Sequence, residues 1–453
     1  MLRATQRWIT MSSALPRPRL VAVVGATGTG KSQLAVSLAQ RFNGEIINGD
    51  ALQMYEGLPI TTNKLPLEER KGVPHHLLGC IKLGEEPWTV KQFVELATGV
   101  IKEIRSRGRL PILVGGTHYY TQSLLFSDAL VEEEETGDAT LENQAQKWQL
   151  LDASTEEMLK ELRKLDPEMA MRWHPSDRRK IRRSLEIWLK TGKRASEIYE
   201  QQKTQSLDIE SGGWDRSAVP IGSDASAQSH VRYDTLIFWV HAPSDSLNLR
   251  LEHRVDSMVS HGLLEEVTSM QNFHQDQERK GGSIDQSRGI WVAIGFKEFL
   301  PYILDGNRPE KLRQEGIERT KIATRQYAKR QVRWIRLRLQ RAVNAADLTH
   351  YMFLLDATDS LRWSEAVDAK AQDITAAFIN NFALPRPDSL SDAAMKMLVS
   401  PEEEAKSARY CEACDKTLMF HSQWINHLKG KGHRASVRPK IDRKTLYPRD
   451  NGR

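Results

Sequence analysis

Residues 25–32 read Gly25-Ala26-Thr27-Gly28-Thr29-Gly30-Lys31-Ser32, a full match to G-x-x-x-x-G-K-[ST]. An apolar run, Leu20-Val21-Ala22-Val23-Val24, precedes it, and a helical pattern, Gln33–Ala39, follows. A phosphate cradle needs that strand–loop–helix context. The glycines let backbone N–H groups turn inward, and the helix N-terminus adds positive potential. Lys31 would sit on the phosphates and the Ser32 hydroxyl on Mg2+. The loop is read as binding a di- or triphosphate.

A second constellation lies near the other end. Cys411-x2-Cys414-x12-His427-x5-His433 puts two thiolates on a turn and two imidazoles on one helix, a tetrahedral Zn2+ shell. Leu418 and Trp424 take the positions where so small a finger needs apolar residues, and His421 is a spare imidazole. The only other cysteine is Cys80, so the pair reads as metal-binding rather than as part of a disulfide framework. The basic tail (Lys429, Lys431, Arg434, Arg438, Lys440) favours RNA by charge, with a protein-docking finger as the alternative.

A strand-like run, Glu45-Ile46-Ile47-Asn48, ends at Gly49-Asp50. On the residues alone Asp50 has three roles open to it: helix cap, Mg2+ ligand or general base. A third run, Leu110–Val114, ends in Gly115-Gly116-Thr117, with no Asp to hold Mg2+ as in motor-type NTPases, which argues against an ATPase.

These groups need a scaffold to bring them together. A fourth run, Thr235–Val240, ends at His241-Ala242-Pro243, and helical patterns such as Val90–Arg105 separate the runs. Apolar strands alternating with amphipathic helices predict an α/β fold, a phosphate-loop parallel sheet with helices on both faces. Ligands of such sheets sit at the strand carboxyl ends, where the loop, Asp50 and Thr117 would meet.

The core is expected over residues 20–130 and 231–383. Between them, 131–230 is expected as a helical insertion, with its helices over Thr155–Gln202. An acidic loop, Glu132–Glu135, and a polar one, 206–229, would flank those helices. A Pro-, Ser- and charge-rich linker, 384–407, would lead to the zinc finger at 408–437 and a basic tail at 438–453.

The 453 residues carry a net charge of +6, a mild excess that permits a nucleic-acid partner. Arg178-Arg179-Lys180-Ile181-Arg182-Arg183 opens one helix. Lys321, Arg325, Lys329 and Arg333 recur every four residues on another, with Ile322, Ala328, Val332 and Ile335 expected on its buried side. Taken alone, such stripes are solvated faces. Beside a phosphate loop and a finger they point to a polyanionic substrate. No run of eighteen apolar residues occurs, so no membrane span is expected.

The segment 1–19 holds Arg3, Arg7, Arg17 and Arg19, and no acidic residue precedes Glu45. That pattern suits a mitochondrial presequence, and Met11 offers a second start that would drop it. Mitochondrion and cytoplasm are the expected sites, with the nucleus a further one.

Several motifs together resemble one family, the tRNA dimethylallyltransferases (tRNA isopentenyltransferases). The loop Gly25–Ser32 matches its start, and Asp50-Ala51-Leu52-Gln53-Met54-Tyr55 resembles its D-S-x-Q-x-Y motif. Ile60-Thr61-Thr62-Asn63-Lys64, Pro74-His75-His76 and Leu113–Tyr120 follow in order. Arg254-Val255-Asp256-x-Met258, Ile294–Glu298 and Ala323-Thr324-Arg325-Gln326-Tyr327-Ala328-Lys329-Arg330-Gln331 complete the series. The resemblance spans residues 20–340, and the finger is similar to that of eukaryotic members. Ala51 departs from the usual Ser and lacks that hydroxyl's hydrogen bond.

The resemblance implies transfer of a dimethylallyl group from dimethylallyl diphosphate to N6 of the adenosine 3′ of a tRNA anticodon. It implies that Asp50, Thr27, Lys31 and Arg254 are catalytic and that Gly25, Ala26, Thr27, Gly28, Thr29, Gly30, Lys31 and Ser32 hold the diphosphate with Mg2+. It places Asp50, Ala51, Leu52, Gln53, Thr117, Arg179, Lys180, Arg182, Arg183, Arg325, Gln326, Lys329 and Arg330 against tRNA. Zn2+ would be structural, at Cys411, Cys414, His427 and His433, and a monomer is expected. The competing classes are a phosphate-loop kinase and a non-catalytic RNA-binding protein.

Overall fold

The computed structural model describes residues 17–126, 150–198, 231–398, 406–414 and 416–437. Residues 1–16, where most of the expected presequence falls, the two loops expected to flank the insertion and the tail from 438 lie outside the described residues. The chain divides into two compact units, 1–130 with 220–401, and 131–219 with 402–453.

The first unit is built on a six-stranded, all-parallel sheet of order β3-β2-β4-β1-β5-β6. Its strands are β1 (Arg19–Gly25), β2 (Gly44–Asn48), β3 (His75–His76), β4 (Leu110–Val114), β5 (Asp234–His241) and β6 (Met352–Asp356). Alternation of side chains along β1 divides the core. Leu20, Ala22 and Val24 face one apolar cluster, while Val21 and Val23 face the other. Both sides are buried, so β1 reads as a continuous apolar run rather than an alternating one.

Helix α1 (Lys31–Arg41) covers one face with Leu34, Ala35 and Leu38. Helices α2 (Val90–Ser106) and α3 (His118–Leu125) cover the other with Phe93, Ile101 and Leu124. A capping box starts α2: Thr89 N–H donates to Gln92 Oε1 at 2.8 Å, and Gln92 N–H donates to Thr89 Oγ1 at 3.2 Å. Such a cap contributes about 1 kcal/mol.

In the second unit the insertion folds as α4 (Thr155–Leu165), α5 (Pro167–Arg172) and α6 (Arg178–Thr191) around Met158, Leu162, Met169, Ile181 and Leu185. Returning to the first unit, α7 (Ser244–Ser260), α8 (Leu263–Arg279), α9 (Phe296–Leu304) and the long α10 (Glu310–Trp334) follow β5. Helices α11 (Gln340–Ala345), α12 (Lys370–Ile379) and α13 (Asp392–Met397) complete it. Among the described residues no helix is long and apolar enough to cross a membrane.

Three differences from the sequence reading stand out. The sheet has six strands where four runs were recognised; β3 is only two residues long, and β6 (Met-Phe-Leu-Leu-Asp) was not recognised although Asp356-Ala357-Thr358-Asp359-Ser360 marks a turn after it. Part of the stretch expected as a linker is helical, with Ala394 of α13 fully buried and Gln340 Nε2 donating to Met397 O at 3.0 Å. Ile322, expected on the buried side of α10, is 45% exposed. Lys321, 15% exposed, pairs with Asp256 of α7 at 2.8 Å, so that end of the cationic stripe faces its neighbour helix instead.

Candidate active site and zinc cluster

Asp50 leaves the carboxyl end of β2 in a braced turn. Its N–H donates to Asn48 Oδ1 at 3.0 Å, while Asn48 Nδ2 donates to Asp50 O at 3.0 Å and Leu77 O at 2.9 Å. Asp50 Oδ1 accepts the Leu52 N–H at 3.1 Å, an Asx turn leading into the single turn Leu52–Met54. Oδ2 faces Gly116 across the site, 2.8 Å from where a Cβ would stand on that glycine. Any side chain at Gly116 would displace the carboxylate, hence the glycine. The Ala51 N–H donates to Thr117 Oγ1 at 3.0 Å, which joins the loops after β2 and β4.

The phosphate loop meets these loops from the neighbouring strand. Lys31 Nζ donates to Ala26 O at 2.7 Å, and Arg254, from α7, donates through Nη1 to Thr27 Oγ1 at 3.0 Å. Gln331 of α10 is buried between the two loops. Its Oε1 accepts the Thr27 N–H at 2.8 Å and its Nε2 donates to Gly116 O at 2.9 Å. Tyr327, one turn earlier on the same helix face, interacts with both Asp50 and Gln331. Gln331 and Tyr327 carried no assigned role in the sequence. No local pattern marks them, because their partners Thr27, Gly116 and Asp50 lie more than 200 residues away in the chain.

Burial sets the electrostatics. Desolvation lowers Lys31 to about 8, against Asp50, which favours its charged form, and with Arg254, which does not. Arg254 is brought down to about 10 by burial. Burial pushes the Asp50 carboxyl up, against hydrogen bonds from the Leu52, Gln53 and Gly116 backbone and the charge of Lys31. Tyr327 is raised, chiefly by burial and then by Asp50, and stays a neutral phenol. His118, buried beneath the loop, is driven to about 3 by burial and by Lys31, so it adds no charge. Two enclosed cations therefore face one carboxylate whose basicity is raised. The arrangement is short of negative charge, which an anionic ligand would supply.

Gly25, Ala26, Gly28, Thr29, Gly30 and Ser32 complete the loop and the first turn of α1, with Thr29 Oγ1 donating to Ala26 O at 2.9 Å. Gln53 Nε2 donates to Thr62 O at 3.2 Å and Asn63 O at 3.0 Å, organising the loop after the single turn Leu52–Met54. Glu266 holds that same loop through the Ile60 and Thr61 N–H groups at 2.9 and 2.7 Å, a support the sequence did not signal. On α10, Gln326, Lys329 and Arg330 are exposed, whereas Arg325 is paired with Glu252 of α7. Arg179, Lys180, Arg182 and Arg183 belong to α6 in the second unit. There Lys180 pairs with Asp177 at 2.9 Å and Arg182 with Glu186 at 3.0 Å, while Arg179 is exposed.

The finger consists of β7 (Lys406–Cys411), β8 (Lys416–Phe420), α14 (His421–Lys429) and α15 (Lys431–Val437), so His427 and His433 sit on two successive helices that part at Gly430 rather than on the one helix expected. The ligand atoms of Cys411, Cys414, His427 and His433 lie within 4.8 Å of one another. His427 Nε2 is buried with no hydrogen-bond partner. Two thiolates and two imidazoles in so small a space, one of them orphaned, fit tetrahedral Zn2+. His421 is exposed and outside the cluster. Within this unit His174 Nε2 lies 3.0 Å from Thr417 O, so the finger hairpin contacts the insertion directly.

Comparison with known proteins is in accord with these features. The family model described as IPP transferase matches residues 53–338, that of isopentenyl transferase 18–77, and that of a C2H2-type zinc finger 409–433. The chain is 38% identical to a tRNA dimethylallyltransferase of Schizosaccharomyces pombe, covering 94% of this chain and 96% of that protein. It is 34% identical to one of Homo sapiens, covering 91% and 85%. A crystal structure of a eukaryotic dimethylallyltransferase acting on tRNA aligns with a TM-score of 0.73 at 32% identity, over 93% of this chain and 96% of that one. The chain belongs to the tRNA dimethylallyltransferase (IPP transferase) family.

Proposed function

We propose that this chain transfers the dimethylallyl group of dimethylallyl diphosphate to N6 of the adenosine 3′-adjacent to the tRNA anticodon, releasing diphosphate. The observation that carries the proposal is the juxtaposition of a carboxylate of raised basicity, Asp50, with the cation-lined cradle of Lys31 and Arg254. The allylic C–O bond breaks, its electron pair stays with diphosphate, and the loop amides, Lys31 and Arg254 stabilise that charge. The N6 lone pair forms the new C–N bond, and Asp50 accepts the N6 proton. A stacked adenine cannot reach this crevice, so the base must be flipped out of the anticodon loop.

Ser32, at the start of α1, supplies a hydroxyl of the kind that holds Mg2+ beside a loop-bound diphosphate. The ion, when bound, would neutralise leaving-group charge. The exposed Lys329 and Arg330 of α10 and Arg179 of α6 suit contact with tRNA phosphates. A monomer is the proposed working unit. The arginine-rich start and Met11 support sharing between mitochondrion and cytoplasm, with the nucleus also open to the shorter form.

The test is transfer from radiolabelled dimethylallyl diphosphate to an anticodon stem-loop, run beside an ATP-consumption assay. Label in the RNA without ATP turnover is expected. ATP turnover with no label transfer would favour a kinase instead.

A further inference from the structure

The phosphate loop has an occupant on the side away from Asp50. In the order β2-β4-β1-β5-β6, Asp50 follows β2 and Gly116 follows β4, so the proposed base lies to one side of β1, while Arg254, on α7 after β5, reaches the loop from the other. A ligand with its reacting end at Asp50 must trail off on the other side, over the carboxyl ends of β5 and β6. There the segment after β6 closes on the loop. Gly30 has φ 86°, and a Cβ at that position would stand 2.4 Å from Trp363 Cη2 and 2.6 Å from its Cζ3. The indole thus lies directly on the glycine that precedes Lys31.

Its setting is tied down from two sides. Ser37 of α1 donates to Asp368, and Gln372 Nε2 donates to Ser37 Oγ and Asp368 Oδ2 at 3.1 Å each. From the β5 side, Arg250 Nη2 donates to Thr358 O at 2.6 Å.

We infer that Trp363 sets the length of the donor: it admits a diphosphate whose trailing phosphate is bare and refuses one that continues into a nucleoside. This rests on the donor assignment proposed above. A prenyl diphosphate carries its reacting carbon at one end and an unsubstituted phosphate at the other, so nothing extends past Gly30. A nucleoside triphosphate with its reacting phosphate towards Asp50 would drive ribose and base into the indole. Occupied volume of this kind discriminates without weakening the accepted ligand.

The test uses the full-length chain and the variants Trp363→Ala, Trp363→Leu and Trp363→Phe, titrated with N-methylanthraniloyl-ATP and Mg2+. The alanine and leucine variants should bind the nucleotide about tenfold or more tightly than the parent, and ATP should become competitive with dimethylallyl diphosphate. The phenylalanine variant should stay closed. The inference is overturned if folded variants, checked by thermal melting, show the parent's nucleotide affinity. The parent itself provides a control that needs no variant. Inorganic diphosphate should inhibit prenyl transfer at about a tenth or less of the ADP concentration needed, and equal inhibition by ADP would also overturn the inference. Failure of the parent to transfer a dimethylallyl group at all would refute the donor assignment instead, and the nucleotide titration reads Trp363 independently of that outcome.

Discussion

Gln331 accepts the backbone N–H of Thr27 at 2.8 Å, so a glutamine on α10 holds the phosphate loop by its main chain. The same amide donates to Gly116 O, which makes one side chain the link between the loops after β1 and β4. The phosphate loop and the loop that faces the Asp50 carboxylate are therefore held in register by one side chain.

Replacing Gln331 by Ala should leave a buried donor and a buried carbonyl unpaired, at a cost of about 1–3 kcal/mol each. The expected outcome is a fall of about tenfold or more in kcat/KM for dimethylallyl diphosphate, with tRNA affinity retained. Steady-state kinetics in both substrates check it, and an unchanged kcat/KM would rule out the positioning role.

Asp50→Ala should cost about 10² or more in kcat while tRNA binding persists, because a general base acts in the chemical step. Since burial raises the carboxyl, the acid limb of the rate profile should fall above the ordinary aspartate range. Activity should rise with pH through that limb as Asp50 ionises. A full-rate Asp50→Ala enzyme would remove the residue from the mechanism.

Lys31 should impose a second limb, of opposite sign. Its protonated form attracts the donor, and its value of about 8 in the free protein means affinity declines as pH rises past that point. The slope approaches one log unit per pH unit, and bound diphosphate shifts the limb upwards by linkage. Lys31→Arg keeps its charge and should flatten the limb; Lys31→Ala should weaken donor binding at every pH. Isothermal titration with dimethylallyl diphosphate between pH 7 and 10 measures both.

On α10, Lys329→Gln should raise KM for tRNA and lower the salt slope of binding by about one unit per lost phosphate contact. Arg325→Gln should do less, because its guanidinium is already paired with Glu252. Equal slopes for both variants and the parent would return the stripe to a solvated face.

Chelation of zinc, or Cys411→Ser, should unfold the finger, because so small a segment buries too little apolar surface to fold unaided. Hydrogen exchange in the full chain should rise across 406–437 while the sheet stays protected. The His174–Thr417 contact predicts that exchange rises in the loop before α6 as well. Transfer to a minimal anticodon stem-loop should survive, with weaker binding of full-length tRNA. Loss of chemistry on the stem-loop would show that the finger supports the active site itself.

The sequence alone determined the parts whose physics is local. The loop Gly25–Ser32 and the spacing of Cys411, Cys414, His427 and His433 are readable because a phosphate cradle and a zinc shell are built from residues close in the chain. The parallel sheet was legible from fully apolar runs such as β1 and β5, since strands buried on both faces cannot hide their composition. Tertiary structure decided what depends on distant pairs. Gln331 meets Thr27 across 304 residues, Arg325 is turned towards Glu252, and Trp363 lies on Gly30. No periodicity encodes such contacts. They follow from how α10 and the segment after β6 pack over the strand ends, where side-chain volume and buried hydrogen bonds choose one arrangement.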